Sequence, residues 1–513
     1  MRPADKPEVE GDPATPIAPG AAANPAVVGR TTYFTPSVDS RMVFTNNAGA
    51  DPQTGEIRKD IVIEVQPTLA FERRGPRLRL SGEFSVSALD YVNGSQVARL
   101  LPRGRADMSA KVIEDLLYLD AWVRVDPTFD DPYAAHPDAA TSYRLESQTR
   151  YNLSPSVKKR LGDFGVFEAR EEYNNGRTTD IVTNATTHVT STDRVVSFTH
   201  EPRPLGIAVE VKSHDETNEL QPETVLDTRE GRLWVDVALD PQFIVGAVVG
   251  REKTSLLISN PYESVHGWRV RYRPTDRTDM NLTVENRYFG RGIGGTFSHR
   301  SPRVSINLQV NRLVSSQGIP ELVFASGDNI QNAINSQLTT RFPDPIERQN
   351  ELNKLLPLLQ GLGDTANSPT TIYSKVAQLR QSASLQLGYQ GVRNFVYAQF
   401  GYLSQRAVQL QDTRADDSYD ALQRLAGIGI NSRLTPSATM NLSSDWSRIQ
   451  DLGLGRTDKY TQQRVLRAEV VQTLTPRSFG TLGLRQLSVK KFPPDATDTA
   501  GETALYIGLR HRF

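Results

Sequence analysis

From Arg30 to the C-terminus, apolar and polar residues alternate one for one along most of the chain, the period of a β-strand with one dry and one wet face. In the segment 77–88, Leu78, Leu80, Phe84 and Val86 fall on one face, and Arg77, Arg79, Ser81, Glu83, Ser85 and Ser87 on the other. Segment 303–312 sets Val304, Ile306, Leu308 and Val310 against Arg303, Ser305, Asn307, Gln309 and Asn311. Segment 379–389 sets Leu379, Ala383, Leu385, Leu387 and Tyr389 against Arg380, Ser382, Ser384, Gln386 and Gly388. Such runs match a tilted membrane-crossing strand better than the ~5–6 residues common in soluble sheets.

The connections fall into two classes. Tight turns rich in Pro, Asp, Asn and Gly are expected at 73–76, 114–115, 200–204, 240–241, 274–278, 299–302, 391–394, 435–438 and 475–478. Between them lie longer polar connections, among them 46–60, 91–104, 127–140, 174–187, 411–419 and 451–459. Short turns on one side and long loops on the other mark an outer-membrane barrel, with the short side in the periplasm. The pattern predicts an all-β, single-chain antiparallel transmembrane β-barrel of roughly 22 strands, within two either way, over residues 31–513. An even strand number places both termini in the periplasm, and the location is the bacterial outer membrane. Tyr33, Phe34, Tyr91, Tyr151, Tyr173, Tyr288, Phe289 and Tyr402 stand near strand ends, as an interfacial girdle requires.

Composition narrows the alternatives. Hydrophobic residues make up 38% of the chain, and no stretch approaches the ~20 consecutive apolar residues of a membrane helix, so a membrane reading requires strands. Cysteine is absent, which removes disulfides and thiolate metal sites. Lys+Arg and Asp+Glu both number 59, so nothing in the charge balance points to nucleic acid. Residues 1–30 carry no apolar signal-peptide core and are rich in Pro, Ala and Gly; they read as a disordered periplasmic arm, either a solvated tail or a contact with the cell wall or a partner. Propellers and solenoids need a fixed repeat, which the chain lacks, and separate sandwiches need linkers.

One connection differs in kind. Residues 315–372 form a long insertion in which Leu352, Leu355, Leu356 and Leu359 recur at helical spacing after Pro345, with Pro357 within the run to kink or end the helix. A partly helical segment with these leucines as gate residues would constrict the lumen or cap its mouth; the alternative is a loop lying outside. The final strand ends on Phe513, with His511, Leu509, Ile507 and Leu505 at alternate positions before it. Phe513, Leu509 and Ile507 resemble the C-terminal signal read by the barrel-assembly machinery, which that resemblance implies as a partner together with outer-membrane lipid and lipopolysaccharide.

With the aliphatic face on lipid, the other face lines the interior. Its candidate lining residues are Arg77, Arg79 and Glu83 on one strand, and Asp120, Trp122 and Arg124 on a second. Arg269, Arg271 and Arg273 lie on a third, and Asn281, Thr283, Glu285 and Arg287 on a fourth. Neither sign dominates, so these residues make no anion or cation filter. They suit hydroxyl-rich solutes, or pair with one another around held water. The seven histidines are scattered, and no GxSxG, HExxH or phosphate loop is present, so no enzyme, cofactor or metal site is expected.

Several segments resemble a family of outer-membrane proteins associated with the exosortase/PEP-CTERM system and its exopolysaccharide gene clusters. They are TPSVDSRMVFTNN at 35–47, IVIEVQPTLAFERRGPRLRLSGEFSVSALDY at 61–91, EDLLYLDAWVRV at 114–125 and YFGRGIGGTFSHRSPRVSINLQVNR at 288–312. The resemblance implies export or surface assembly of a polysaccharide, with periplasmic export proteins as partners and no catalytic residues. A porin for small hydrophilic solutes and a non-conducting structural or receptor barrel are the alternatives. About thirty residues precede the first strand, too few for the plug domain of a TonB-dependent transporter.

Overall fold

The computed structural model describes residues 31–49, 57–128, 140, 146–180, 186–219, 226–256, 262–315, 319–320, 371–372, 377–408, 420–453, 459–492 and 501–513. The strands are β1 (Thr31–Thr45), β2 (Asp60–Arg74), β3 (Leu78–Tyr91), β4 (Arg99–Ile113), β5 (Leu117–Thr128), β6 (Glu146–Arg160), β7 (Val166–Asp180) and β8 (Thr186–His200). They continue as β9 (Leu205–Asn218), β10 (Leu226–Asp240), β11 (Phe243–Thr254), β12 (Tyr262–Thr275), β13 (Thr278–Arg287), β14 (Gly290–Arg300) and β15 (Val304–Ser315). A two-residue pair, β16 (Ile319–Pro320) and β17 (Thr371–Ile372), stands apart from the wall. The series closes with β18 (Gln378–Gln390), β19 (Asn394–Ala407), β20 (Ala421–Arg433), β21 (Ala438–Asp451), β22 (Tyr460–Thr475), β23 (Ser478–Phe492) and β24 (Glu502–Arg512).

Apart from β16 and β17, the strands form one 22-stranded antiparallel sheet in which each pairs with its neighbour along the chain, β15 pairing with β18. The ring shuts where β1 meets β24, from Ser37 opposite Arg512 to Thr45 opposite Ala504. Closure leaves every wall strand paired on both sides, which is what a sheet needs to sit in hydrocarbon. Phe513 donates its N–H to the Pro36 carbonyl, so the first and last strands meet at the short-turn end.

Alternation sets the two faces, because residues directly opposed across strands share a side. On β24, Leu505, Ile507 and Leu509 point out of the ring, with Ile507 52% exposed. Ala504 and Tyr506, between them, are buried against the inside. Phe71 stacks on Phe84 and Tyr151 lies against Tyr173 on the outer face, the place expected of girdle residues. Tyr91 departs from that expectation: it points inward, and its hydroxyl donates to the Ala140 carbonyl.

All nine expected tight turns lie at one end of the ring, and a tenth, at 161–165 with a single 3-10 turn over Gly162–Phe164, joins β6 to β7. Asp115 adopts φ 56, a conformation that Asp tolerates better than most residues, and so turns β4 into β5. At the long-loop end, several strands outrun their expected limits. β4 begins at Arg99 and β7 continues to Asp180, where 91–104 and 174–187 were expected to be loop. Beyond the hydrocarbon both faces meet water, so the period-two signal fades while the hydrogen-bonded ladder goes on. One connection there is short: Tyr288 and Phe289 alone join β13 to β14, with Gly290 at φ 89.

The helix expected after Pro345, the gate leucines Leu352, Leu355, Leu356 and Leu359, and the arm 1–30 all lie outside the described residues. The described residues of the insertion are strand rather than helix, namely Ser315 at the end of β15 and the β16–β17 pair.

Inside the wall, aromatic rings cover glycines. Tyr506 on β24 lies over Gly483 on β23 and donates its hydroxyl to Glu469 on β22 at 3.0 Å. A Cβ on Gly483 would overlap the ring. Gly483→Ala is expected to displace Tyr506, break its hydrogen bond to Glu469 and cost about 1–3 kcal/mol. In a Tyr506→Ala background the same change should be nearly neutral, a cycle read by urea unfolding in detergent micelles.

Candidate functional site

The candidate site is the lumen wall, since a 22-stranded ring is far wider than the eight-stranded barrels that wall side chains can fill. Most lining positions expected from the sequence do face inward. Arg79 and Glu83 stand on β3, with Glu83 3.9 Å from Arg105. Asp120, Trp122 and Arg124 share the inner face of β5; Arg124 donates to Asp107 at 2.6 Å and lies over the Trp122 ring. Arg269, Arg271 and Arg273 follow on β12, and Asn281, Thr283, Glu285 and Arg287 on β13. Arg77 is the exception: it precedes β3, in the turn, where it stands 3.8 Å from Glu114 and belongs to the rim.

The structure joins these residues to acids that spacing alone did not connect. Arg269 makes a two-pronged contact with Asp236, Nε to Oδ1 at 2.9 Å, while its guanidinium lies 4.2 Å from the centre of the Trp234 ring. Arg287 donates Nε to Glu252 at 2.8 Å and Nη2 to Glu230 at 2.6 Å. Arg232 stands between Glu230 at 2.7 Å, Glu285 at 3.4 Å and Glu210 at 3.7 Å. Further round the ring, His214 contacts Asp193 and Glu216, Arg41 pairs with Glu64, and Arg485 with Glu502. Low local dielectric strengthens each pair, and mixed sign leaves no strong net field.

A second sector carries a different surface. The inward positions of β14, β15, β18, β19 and β20 hold Ser, Thr, Asn, Gln and Gly, interspersed with a few apolar residues, and no Asp or Glu among the described residues. Asn307 opposes Gln386, which opposes Gln399, and Gln309 opposes Ser384. Its cations are Arg300 and Arg433 at the short-turn end and Arg380 toward the long-loop end. Two donors in this sector lack an acceptor: Nε of Arg380 and the side-chain nitrogen of Gln399, a residue only 4% exposed. The periodic Ser/Gln positions of 303–312 and 379–389 were visible in the sequence; their continuation across five strands needed the register.

Toward the long-loop end the wall is packed. Val43, Val62, Leu89, Tyr91, Leu101 and Ala140 form one buried cluster with Ala504 and Tyr506, so the β5–β6 connection touches the inner face of β3 at Ala140. Leu226, Leu256 and Ala377 form another, against Tyr288 and Val314. Burial there pushes the Tyr288 phenol up to about 12.

No family model and no curated protein matches the chain. Among solved structures, the siderophore receptor PirA from Pseudomonas aeruginosa is 9% identical, with 94% of this chain and 81% of that one covered at a TM-score of 0.45. A mutant of the ferric enterobactin receptor PfeA from the same organism is 10% identical, with coverage of 94% and 80% and a TM-score of 0.47. The FrpB iron transporter from Neisseria meningitidis, in its apoprotein form, is 8% identical, with coverage of 93% and 81% and a TM-score of 0.46. At such identities the likeness assigns no ligand.

Proposed function

We propose that this outer-membrane β-barrel guides a hydroxyl-rich polymer, an exopolysaccharide being exported or assembled at the surface, along the acid-free, amide- and hydroxyl-rich sector of its lumen. The observation that carries the reading is the run of amide and hydroxyl side chains from β14 to β20, free of acids among the described residues. Sugars are recognised by many weak, uncharged hydrogen bonds. A surface of Asn, Gln and Ser supplies both donors and acceptors without holding the chain by charge. The resemblance to exosortase-associated barrels points the same way, with the short turns in the periplasm beside export proteins and the long loops outside.

A second reading, a receptor barrel that conducts little, is favoured by the packed clusters at the long-loop end and by the contact of Tyr91 with Ala140. Single-channel recording in planar bilayers separates the readings, using the intact chain and one lacking residues 320–368. The export reading expects little current from the intact protein, conductance after deletion, and interruptions of that current by a long neutral oligosaccharide. Those interruptions should weaken in Gln309→Leu/Gln386→Leu, both on the inner face. A large steady current in the intact protein, indifferent to oligosaccharide, would make it a porin. Silence from both forms would favour the receptor. In cells, loss of the gene should remove surface polysaccharide and leave solute uptake intact.

A further inference from the structure

We propose that the outer face of β20–β23, near the long-loop end, binds the phosphate groups of the glycolipid that forms the outer leaflet. The site is a row of cations on adjoining strands. Arg424 lies directly opposite Arg448, Arg448 opposite Gln462, and Gln462 opposite Lys490. Arg464 stands one outward position nearer the short-turn end, opposite Trp446 and Ser488.

Directly opposed like charges destabilise a sheet, so this row calls for an anion that the wall does not provide. The outward positions of these four strands hold no Asp or Glu among the described residues. Arg424, Arg464 and Lys490 are exposed. The guanidinium of Arg448 lies over Tyr460, 4.0 Å from the ring centre, and Tyr460 stacks on Phe492. An outward arginine on another sector is treated differently. On β7–β9, Arg194 sits between Asp215 at 2.9 Å and Glu171 at 3.7 Å, so its charge is met by the wall itself.

Depth fits a headgroup. Toward the short-turn end the outer face beyond the row turns aliphatic, with Ile428 and Ile430 on β20, Leu442 on β21 and Leu482 and Leu484 on β23 all exposed. Level with the row or beyond it come Tyr460 and Phe492, rings of the kind that settle at the membrane interface. Arg and Lys at that boundary, with aromatic support, present forked and point donors to phosphate oxygens.

The inference rests on the long loops facing the exterior, and not on the cargo. Orientation has its own readout, because the chain lacks cysteine. Val97→Cys, in the exposed β3–β4 connection, should label from outside intact cells with a membrane-impermeant maleimide. The binding test is native mass spectrometry of the full chain in detergent, titrated with bisphosphorylated lipid A and with its dephosphorylated form. The wild type should hold the phosphorylated lipid and release the other. Changing Arg424, Arg448, Arg464 and Lys490 together to Gln should weaken binding on the order of a hundredfold or more. Lys at the three Arg positions should preserve most of it, and Arg194→Gln all of it. Equal retention of both lipids by the wild type overturns the proposal without any variant, as does undiminished binding by the folded Gln variant.

Discussion

Ile507→Arg should destabilise the barrel by about 2–4 kcal/mol, whereas Ser384→Arg should cost almost nothing. Ile507 is the middle outward residue of β24 and opposes Leu482 and Met42, so its face meets hydrocarbon at mid-depth. A guanidinium there must be desolvated or drag water into the bilayer. Ser384 occupies the middle of β18 but points inward between Gln309 and Gly401, where an extra cation meets the polar lumen. A third variant, Thr503→Arg, sits on the outer face of β24 at its long-loop end and should cost only about 0–1 kcal/mol. Guanidinium unfolding in lipid vesicles reads all three. The gradient, large then small along one face and near zero on the other, follows from an apolar exterior of finite height. A larger cost at Ser384 than at Ile507 would put the Ser384 face, and not the Ile507 face, in hydrocarbon.

Strands were legible in the sequence wherever the environment is two-sided. Between Leu78 and Ala88 or Val304 and Val310, lipid selects one set of residues and the lumen the other, so a period of two is written directly into the chain. The same logic explains the misses. From Asn174 to Asp180 both faces of β7 lie beyond the apolar band, polar residues are acceptable on either, and the segment looks like a loop although its ladder to β6 is unbroken. The turn at 161–165 carries Gly162, Asp163 and Gly165, so its signal was present in the sequence.

The site was legible in part. Parity alone puts Arg79, Glu83, Asp120, Trp122, Arg124 and the arginines of β12 on the inner face, and it fails for Arg77 only because the strand begins one residue later. Partners are another matter. Glu252 and Arg287 stand two strands apart with β12 between them, and their meeting depends on the accumulated register of three strands. The acid-free sector and the outward row of cations have the same origin. Ser384 and Gln309, across the long insertion, or Arg424 and Arg448, across a tight turn, become neighbours only once the pairing register of their strands is known.

That register makes Glu252 the residue whose loss should hurt the wall most. Its side chain is fully shielded; it accepts Nε and Nη2 of Arg287 and, through its other oxygen, the backbone N–H of Tyr288 at 2.7 Å. Glu252→Ala leaves Arg287 with Glu230 as its remaining hydrogen-bonded acid and strips Tyr288 of the acceptor that steadies the two-residue turn into β14. Removing one partner from a buried pair costs about 3–5 kcal/mol, because the other charge stays desolvated. Asp215→Ala removes a partner of Arg194 on the exposed outer wall, where the corresponding loss is about 0.2–1 kcal/mol. Glu252→Gln should fall between them, since an amide oxygen can still accept from Tyr288 but brings no charge to Arg287. Urea unfolding of the three variants in one detergent would rank them, and an Asp215→Ala loss as large as that of Glu252→Ala would show that the buried network does not hold this part of the wall.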